Sequence, residues 1–200
     1  MGKIIYLTGA PATGKSTLTE GLAELSSRIT VFTYSKELAR VISNRVGPIS
    51  QADMREKSAR LITREDVGLV DKELVQIASR FRQTDGYLVI DSHPVTIESF
   101  GFRVTPFSKA LLQNLAPDVI VCLYADATTL ASRITATPEG RPLPPANELD
   151  RHVGLQCEIA SLYAFETGAS LYYLDASKPR FEVLENFVQV SRITISDRSS

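Results

Sequence analysis

Apolar residues fall in short, nearly unbroken runs: Lys3 to Thr8, Thr30 to Tyr34, Tyr87 to Asp91, Val119 to Tyr124 and Leu171 to Leu174. A run that is apolar throughout, rather than at every second position, suits a strand covered on both faces, as in a parallel sheet. Each pair of runs is separated by enough chain for a crossover helix. The pattern predicts a doubly wound α/β architecture, with five parallel strands and helices on both faces. The most regular helical stretch is Asp66 to Arg82, where Val67, Val70, Leu74, Ile77, Ala78 and Phe81 form one apolar stripe opposite Asp71, Lys72, Glu73 and Arg80. It reads as a packing helix. Other helices are predicted over Ser35 to Arg45, Phe107 to Leu115, Ala127 to Thr135, Leu149 to Glu166 and Pro179 to Arg192, and Gly168 is placed to stop the one ending at Glu166.

Three segments interrupt the alternation, and in such sheets insertions at the carboxyl ends of strands tend to carry function. Asn44 to Arg64 contains Gly47-Pro48 and then Arg55, Lys57, Arg60 and Arg64. Ser92 to Pro106 reads as a loop with Gly101 and little apolar content. Ala136 to Asn147 gathers Pro138, Gly140, Pro142, Pro144 and Pro145 around Arg141. Too short for a domain and too rich in proline for a helix, this last segment predicts a lid. Ser196 to Ser200 reads as a frayed tail.

At 200 residues with 44% hydrophobic content, the chain can bury one good core, and residues 1–200 read as a single domain. The net charge of −1 provides no field to hold a nucleic acid or an anionic membrane, so neither is expected as a partner. Cys122 and Cys157 have neither metal-ligand spacing nor the density of a disulfide scaffold, and both are expected as reduced thiols. The longest apolar stretch, Val119 to Ala125, is too short to span a bilayer, and the first strand begins without a charged-then-apolar leader. The expected location is cytoplasmic, as a monomer or small homo-oligomer.

The chemistry is concentrated in Gly9-Ala10-Pro11-Ala12-Thr13-Gly14-Lys15-Ser16-Thr17, which fits the phosphate-loop pattern G-x-x-x-x-G-K-[ST]. It follows a strand and opens a helix marked by Leu18, Leu22 and Leu25. The glycines let successive backbone N–H groups converge on phosphate oxygens, the helix start adds partial positive charge, and Lys15 reaches the outer phosphates. Ser16 is then an expected Mg²⁺ ligand, and ATP and Mg²⁺ are the expected cofactors. Asp91, at the end of its strand, is the second expected Mg²⁺ ligand, directly or through water. If the strand continues past Asp91, His93 shares its face and enters the catalytic site; otherwise His93 is a hydrogen-bonded loop residue. Arg141, in the proposed lid, is placed to close over transferring phosphates. Arg133, on the helix leading into the lid, is expected either to contact phosphate or to stack on the base. Arg55 is the expected clamp for an anionic acceptor, while Arg60 and Arg64 read as solvated helix face. His152 reads equally as a site residue or a helix-start residue, and Arg151 has no assigned role.

Taken together, these residues make the chain resemble the archaeal-type adenylate kinases, a family of small phosphate-loop nucleoside monophosphate kinases. The likeness spans most of the chain. It rests on Thr8-Gly9-Ala10-Pro11 with Gly14-Lys15-Ser16, Met54-Arg55, Val89-Ile90-Asp91-Ser92-His93, Gly101-Phe102, Leu115-Ala116-Pro117-Asp118, Arg133, Arg141, His152 and Thr167-Gly168-Ala169. The resemblance implies ATP and Mg²⁺ at the phosphate loop, an acceptor monophosphate near Arg55 in the insertion at 44–64, with His93, Gly101 and Phe102 also on the acceptor, and a lid at 136–147. Two departures stand out. Ala12 occupies a position that is usually glycine in that family, and Gln156-Cys157 stands where its members carry a further arginine.

The function expected from these residues is phosphoryl transfer from ATP to a nucleoside monophosphate, AMP or dAMP. A monophosphate, with a second pKa of about 6, is already a nucleophile at neutral pH and requires no general base. Two alternatives remain open: a kinase for a nucleoside or small-molecule hydroxyl, in which Asp91 or His93 takes the proton, and a nucleotide-dependent switch or assembly ATPase.

Overall fold

A computed structural model describes residues 1–48, 61–136 and 142–195. In chain order, the strands are β1 (Lys3–Gly9), β2 (Ile29–Thr33), β3 (Tyr87–Asp91), β4 (Val95–Glu98), β5 (Gly101–Val104), β6 (Val119–Tyr124) and β7 (Ser170–Asp175). The helices are α1 (Lys15–Leu25), α2 (Tyr34–Val46), α3 (Arg64–Phe81), α4 (Lys109–Leu115), α5 (Ala127–Thr135), α6 (Ala146–Thr167) and α7 (Arg180–Val190). β2, β3, β1, β6 and β7 form one five-stranded sheet in that order, and every neighbouring pair is parallel. This is the doubly wound α/β fold of phosphate-loop proteins.

The unbroken apolar runs are explained by the two cores they serve. Ile5, Leu7, Val89, Val121 and Leu123 face one side with Leu18 and Leu22 of α1, Leu130 and Ile134 of α5, and Phe187 of α7. Ile4, Tyr6, Leu88, Ile90, Ile120 and Cys122 face the other with Ile42, Val70, Leu74, Leu112 and Tyr163. Alternate residues of one strand therefore enter different cores, and a polar residue on either face would be buried.

α3 begins on a capping box: the Asp66 N–H donates to Thr63 Oγ1 at 3.2 Å, and the Thr63 N–H donates to Asp66 Oδ2 at 2.9 Å. Asp66 is buried, and Arg45, in the last turn of α2, forks onto its carboxylate with Nε–Oδ1 of 3.0 Å and Nη2–Oδ2 of 2.7 Å. The same guanidinium donates to the Leu61 carbonyl at 2.8 Å. The two ends of the first insertion are thus tied together. Arg45, bonded to Asp66, and then hydrogen bonds from Thr63 hold the Asp66 carboxyl down at about 2.

Several boundaries differ from those the pattern predicts. The segment 92–106 is not a plain loop: β4 and β5 pair antiparallel across Val95↔Val104 and Glu98↔Gly101, with Val95 fully buried. Its apolar positions are too few and too short to register as periodicity. α2, expected over Ser35 to Arg45, spans Tyr34–Val46 and so takes in the first residues of the segment read as the insertion, and Arg64, at its other end, opens α3. Ala146 and Asn147 form the first turn of α6 instead of ending a lid, because proline is tolerated just before a helix start and Pro145 caps this one. Residues 142–145 have no regular structure. Of the remaining expectations, Arg55, Arg60, Arg141, the centre of the proposed lid and the tail lie outside the described residues. No helix among the described residues is long and apolar enough to cross a membrane.

Candidate active site

β1 occupies the middle of the sheet, and the chain leaves its carboxyl end directly into the Gly9–Thr17 loop. Gly9 has φ of 150° and passes so close to β6 that a Cβ there would lie 2.7 Å from the Leu123 carbonyl oxygen. Glycine is required by both backbone and space. The Thr13 hydroxyl donates to the Ala10 carbonyl at 2.7 Å and closes the loop on itself. Gly14 caps α1 in the left-handed region at φ 87°, with no side-chain cap and open space where a Cβ would stand. The first N–H groups of α1 therefore face outward without a side-chain acceptor, as an anion site needs. Ala12 also adopts positive φ, at 64°, so the loop follows a left-handed path there even without a glycine.

Lys15, in the first turn of α1, donates from Nζ to the Gly9 carbonyl at 2.7 Å and so lies across the loop. Ser16 follows it and is exposed. Asp91 ends β3 beside Leu7 of β1 on one side and Thr33 of β2 on the other. It is buried, and its Oδ1 has no hydrogen-bond partner among the described residues. Burial pushes its carboxyl above the usual range, against the opposing charges of Lys15 and Lys36. A desolvated carboxylate oxygen with no partner among the described residues, on the strand beside the one that feeds the phosphate loop, suits a hard divalent cation, so the residues fit Mg²⁺. Lys36, in the first turn of α2, was not singled out by the sequence pattern; only the β2–β3 pairing brings its charge to Asp91.

Arg133 is placed by α5 over the other side of the loop. Its guanidinium donates to the Ala12 carbonyl at 3.3 Å and to the Ala176 carbonyl at 2.6 Å, bridging the loop to the turn after β7. Here a groove of about 540 Å³ opens, lined by Gly14, Thr17, Arg133, Ala176, Lys178 and Phe181 among others. The β7–α7 turn carries no motif, and its place in this groove follows only from the strand order.

The remaining predicted residues lie on the segment after β3. The strand stops at Asp91, and His93 is half-buried on the link to β4, so the shared strand face expected for the two does not form. Gly101 opens β5 at φ 122°, and the Phe102 ring packs edge-on to His152, with ring centroids 5.7 Å apart. His152 is buried in α6, not exposed at a helix start, and its Nε2 lies 3.0 Å from the Val95 carbonyl, which makes that nitrogen the donor. Burial, and then the charge of Lys15, pulls its pKa below the ordinary histidine value in spite of the Val95 bond. Gln156, one turn on and fully buried, donates to the same carbonyl at 3.3 Å, while its Oε1 accepts from the Thr8 hydroxyl at 3.3 Å. Thr8, Gln156, Val95 and His152 thus form one buried polar chain from the phosphate-loop strand to the hairpin. Gln156 is legible in the sequence only as a missing cation. Asp118, within one of the shared motifs, is far from the cleft in role: it accepts from the Ile4 N–H at 2.7 Å and pairs with Arg82 at 2.6 Å, bracing the amino ends of β1 and β6.

A family model described as an AAA domain matches residues 8–150, a span that begins at the last residues of β1 and ends in the first turn of α6. The chain belongs to the AAA domain family. No curated protein matches the sequence at a significant level. Among solved structures, this AAA domain protein is similar to an unliganded sugar kinase from Janibacter sp. HTCC2649, at 15% identity and a TM-score of 0.56, over 97% of this chain and 96% of that one. It is also similar to the tunicamycin resistance protein of Deinococcus radiodurans, at 15% identity and a TM-score of 0.59, over 98% and 99%. Shikimate kinase from Bacteroides thetaiotaomicron aligns at 13% identity and a TM-score of 0.53, over 96% and 99%. Near-complete coverage in both directions shows that the AAA domain protein has a phosphate-loop kinase-like fold from end to end; at these identities the likeness concerns the fold alone.

Proposed function

We propose that the protein transfers the γ-phosphoryl group of ATP to a nucleoside monophosphate, with AMP or dAMP as the acceptor. The observation that supports this most is the convergence at one strand edge of a loop with outward N–H groups, Lys15 lying across it, and a buried Asp91 oxygen without a partner among the described residues. In this reading the loop amides of Gly14, Lys15 and Ser16 hold the phosphate oxygens, and Lys15 exchanges the Gly9 carbonyl for them. Ser16 and Asp91 would hold Mg²⁺, which when bound neutralises charge on the outer phosphates. Arg133 borders the groove where the base would lie. Arg141 would cover the phosphoryl group and Arg55 would fix the acceptor in line, so that alignment and charge neutralisation supply the catalysis. The His93 link and the Gly101–Phe102 edge of the hairpin would border the acceptor.

A second reading is supported by a specific feature. Gln156, where the resembling family has cations nearby, is neutral and fully committed to Thr8 and Val95, and Asp91 is held above the ordinary carboxyl range. Both suit a neutral hydroxyl acceptor, with Asp91 taking its proton. One set of measurements separates the two. ADP formation is followed against ribo- and deoxynucleoside monophosphates and against nucleosides, sugars and shikimate-like polyols, in wild type and Asp91→Asn over a magnesium titration. Monophosphate-dependent turnover, with the Asp91→Asn loss largely recovered at high magnesium, supports the first reading. Turnover with hydroxyl acceptors only, unrecovered by magnesium, replaces it with the second. ATP hydrolysis indifferent to every acceptor excludes both and leaves a nucleotide-driven switch.

A further inference from the structure

Outside the cleft, α6 and β6 bring together the only two cysteines of the chain, 35 residues apart in sequence. Cys122 is buried in β6, in register with Thr8 of β1. Cys157 is half-buried in α6, next to Gln156, and the two Sγ atoms are 3.8 Å apart. Both are free thiols. We propose that Cys122 and Cys157 form a reversible thiol modification site that closes to an internal disulfide by exchange with a small-molecule disulfide. The inference does not depend on the kinase reading.

The geometry sets the order of events. Only Cys157 has exposure to solvent, so it is the attacking sulfur, while Cys122 is shielded on every side. The Cys157 thiolate attacks one sulfur of the small disulfide, the S–S bond of that molecule breaks, and one thiol leaves after taking a proton. A mixed disulfide stands on Cys157. The Cys122 sulfur then loses its proton and attacks Cys157 Sγ, expelling the second small thiol. Two protein thiols are oxidised, one disulfide is reduced to two thiols, and no further oxidant enters. Closure requires the sulfurs to approach from 3.8 Å to the bonded distance of about 2.0 Å. Acidity runs in the same direction: the hydrogen bond to Cys122 lowers the Cys157 pKa, whereas that bond and burial raise the Cys122 pKa. The exposed thiol is the better thiolate, as an entry point requires.

The closed bond would join β6 to α6 within one residue of Gln156, at the level where Gln156 links Thr8 to the Val95 carbonyl. No metal-binding reading competes, since no group of three or more His, Cys, Asp or Glu is gathered for one among the described residues.

The test treats the full chain with glutathione disulfide near neutral pH and follows intact mass without reductant. Expected is a product lighter than the starting protein by two hydrogens, inert to thiol alkylation, with a Cys122–Cys157 linked peptide on digestion and full reversal by dithiothreitol. In Cys122→Ser, or Cys122→Ala if the serine disturbs the strand, the glutathione adduct on Cys157 is expected to persist roughly tenfold longer than in wild type, because its resolving thiol is gone. A wild-type adduct as long-lived as in the variant overturns the proposal. So does a Cys157 that stays reduced while the denatured chain reacts. The linked peptide in the wild type decides the matter even if neither Cys122 variant folds.

Discussion

Lys15 is the residue on which the nucleotide site turns. Its Nζ donates to the Gly9 carbonyl at 2.7 Å, so it is already extended over the place where phosphates would sit. Lys15→Ala is expected to lower turnover by roughly 100-fold and to weaken nucleotide binding. Isothermal titration with a non-hydrolysable ATP analogue checks it; unaltered affinity and rate would place the site elsewhere. Ala12 shows how a single departure is absorbed. An L-residue in the left-handed region costs about 1–2 kcal/mol, yet the loop keeps that path, and Arg133 takes up the Ala12 carbonyl. The loop therefore carries strain at Ala12 while keeping its left-handed turn there.

At the scale of elements, the Arg45–Asp66 fork joins the end of α2 to the start of α3. Asp66 has its folded pKa pulled below the unfolded value, so the stabilisation is complete above about pH 4 and is lost as pH falls through about 2. Asp66→Asn is expected to lower the melting temperature by roughly 3 °C or more at neutral pH, and the gap between variant and wild type should narrow from pH 4 downward. Thermal unfolding by circular dichroism across that range tests it, and a gap independent of pH would assign the effect to packing. Elements of this size were largely legible in the sequence. β3 and β6 lie where the apolar runs put them, because burial on both faces keeps those runs nearly free of polar residues, and α5 lies where the helical spacing of Ala127, Leu130 and Ile134 puts it. The β4–β5 hairpin was not legible. Four-residue strands with one buried anchor, Val95, carry too few positions for alternation to show, and Val95 is held by α6 from 57 residues away.

For the molecule as a whole, the strand order decides which residues meet. The phosphate loop and Asp91 could be placed from the sequence, because each ends a strand and such folds bind ligands at the carboxyl edge. Lys36, Gln156 and the β7–α7 turn could not, since each reaches the cleft only through the order β2-β3-β1-β6-β7. His152 has a global signature of the same origin. Buried between α6 and the hairpin and held below its ordinary pKa, it binds a proton more readily in the unfolded chain than in the folded one. Stability should therefore be constant above the unfolded value of about 6.5 and decline as pH falls below it. His152→Gln, which can still donate to Val95, is expected to flatten that decline between pH 6.5 and 5. Equal slopes in melting temperature for the two proteins would show that another group titrates.

The Val95 carbonyl accepts from two side chains of one helix, and this has a mechanical corollary. A roll of α6 about its own axis would break both bonds at once and leave two buried donors unpaired, so the helix is geared to the hairpin rather than merely resting on it. Through Thr8 the same gear meshes with the strand that feeds the nucleotide loop. A shift of α6 would therefore strain its bonds to the hairpin and to that strand together.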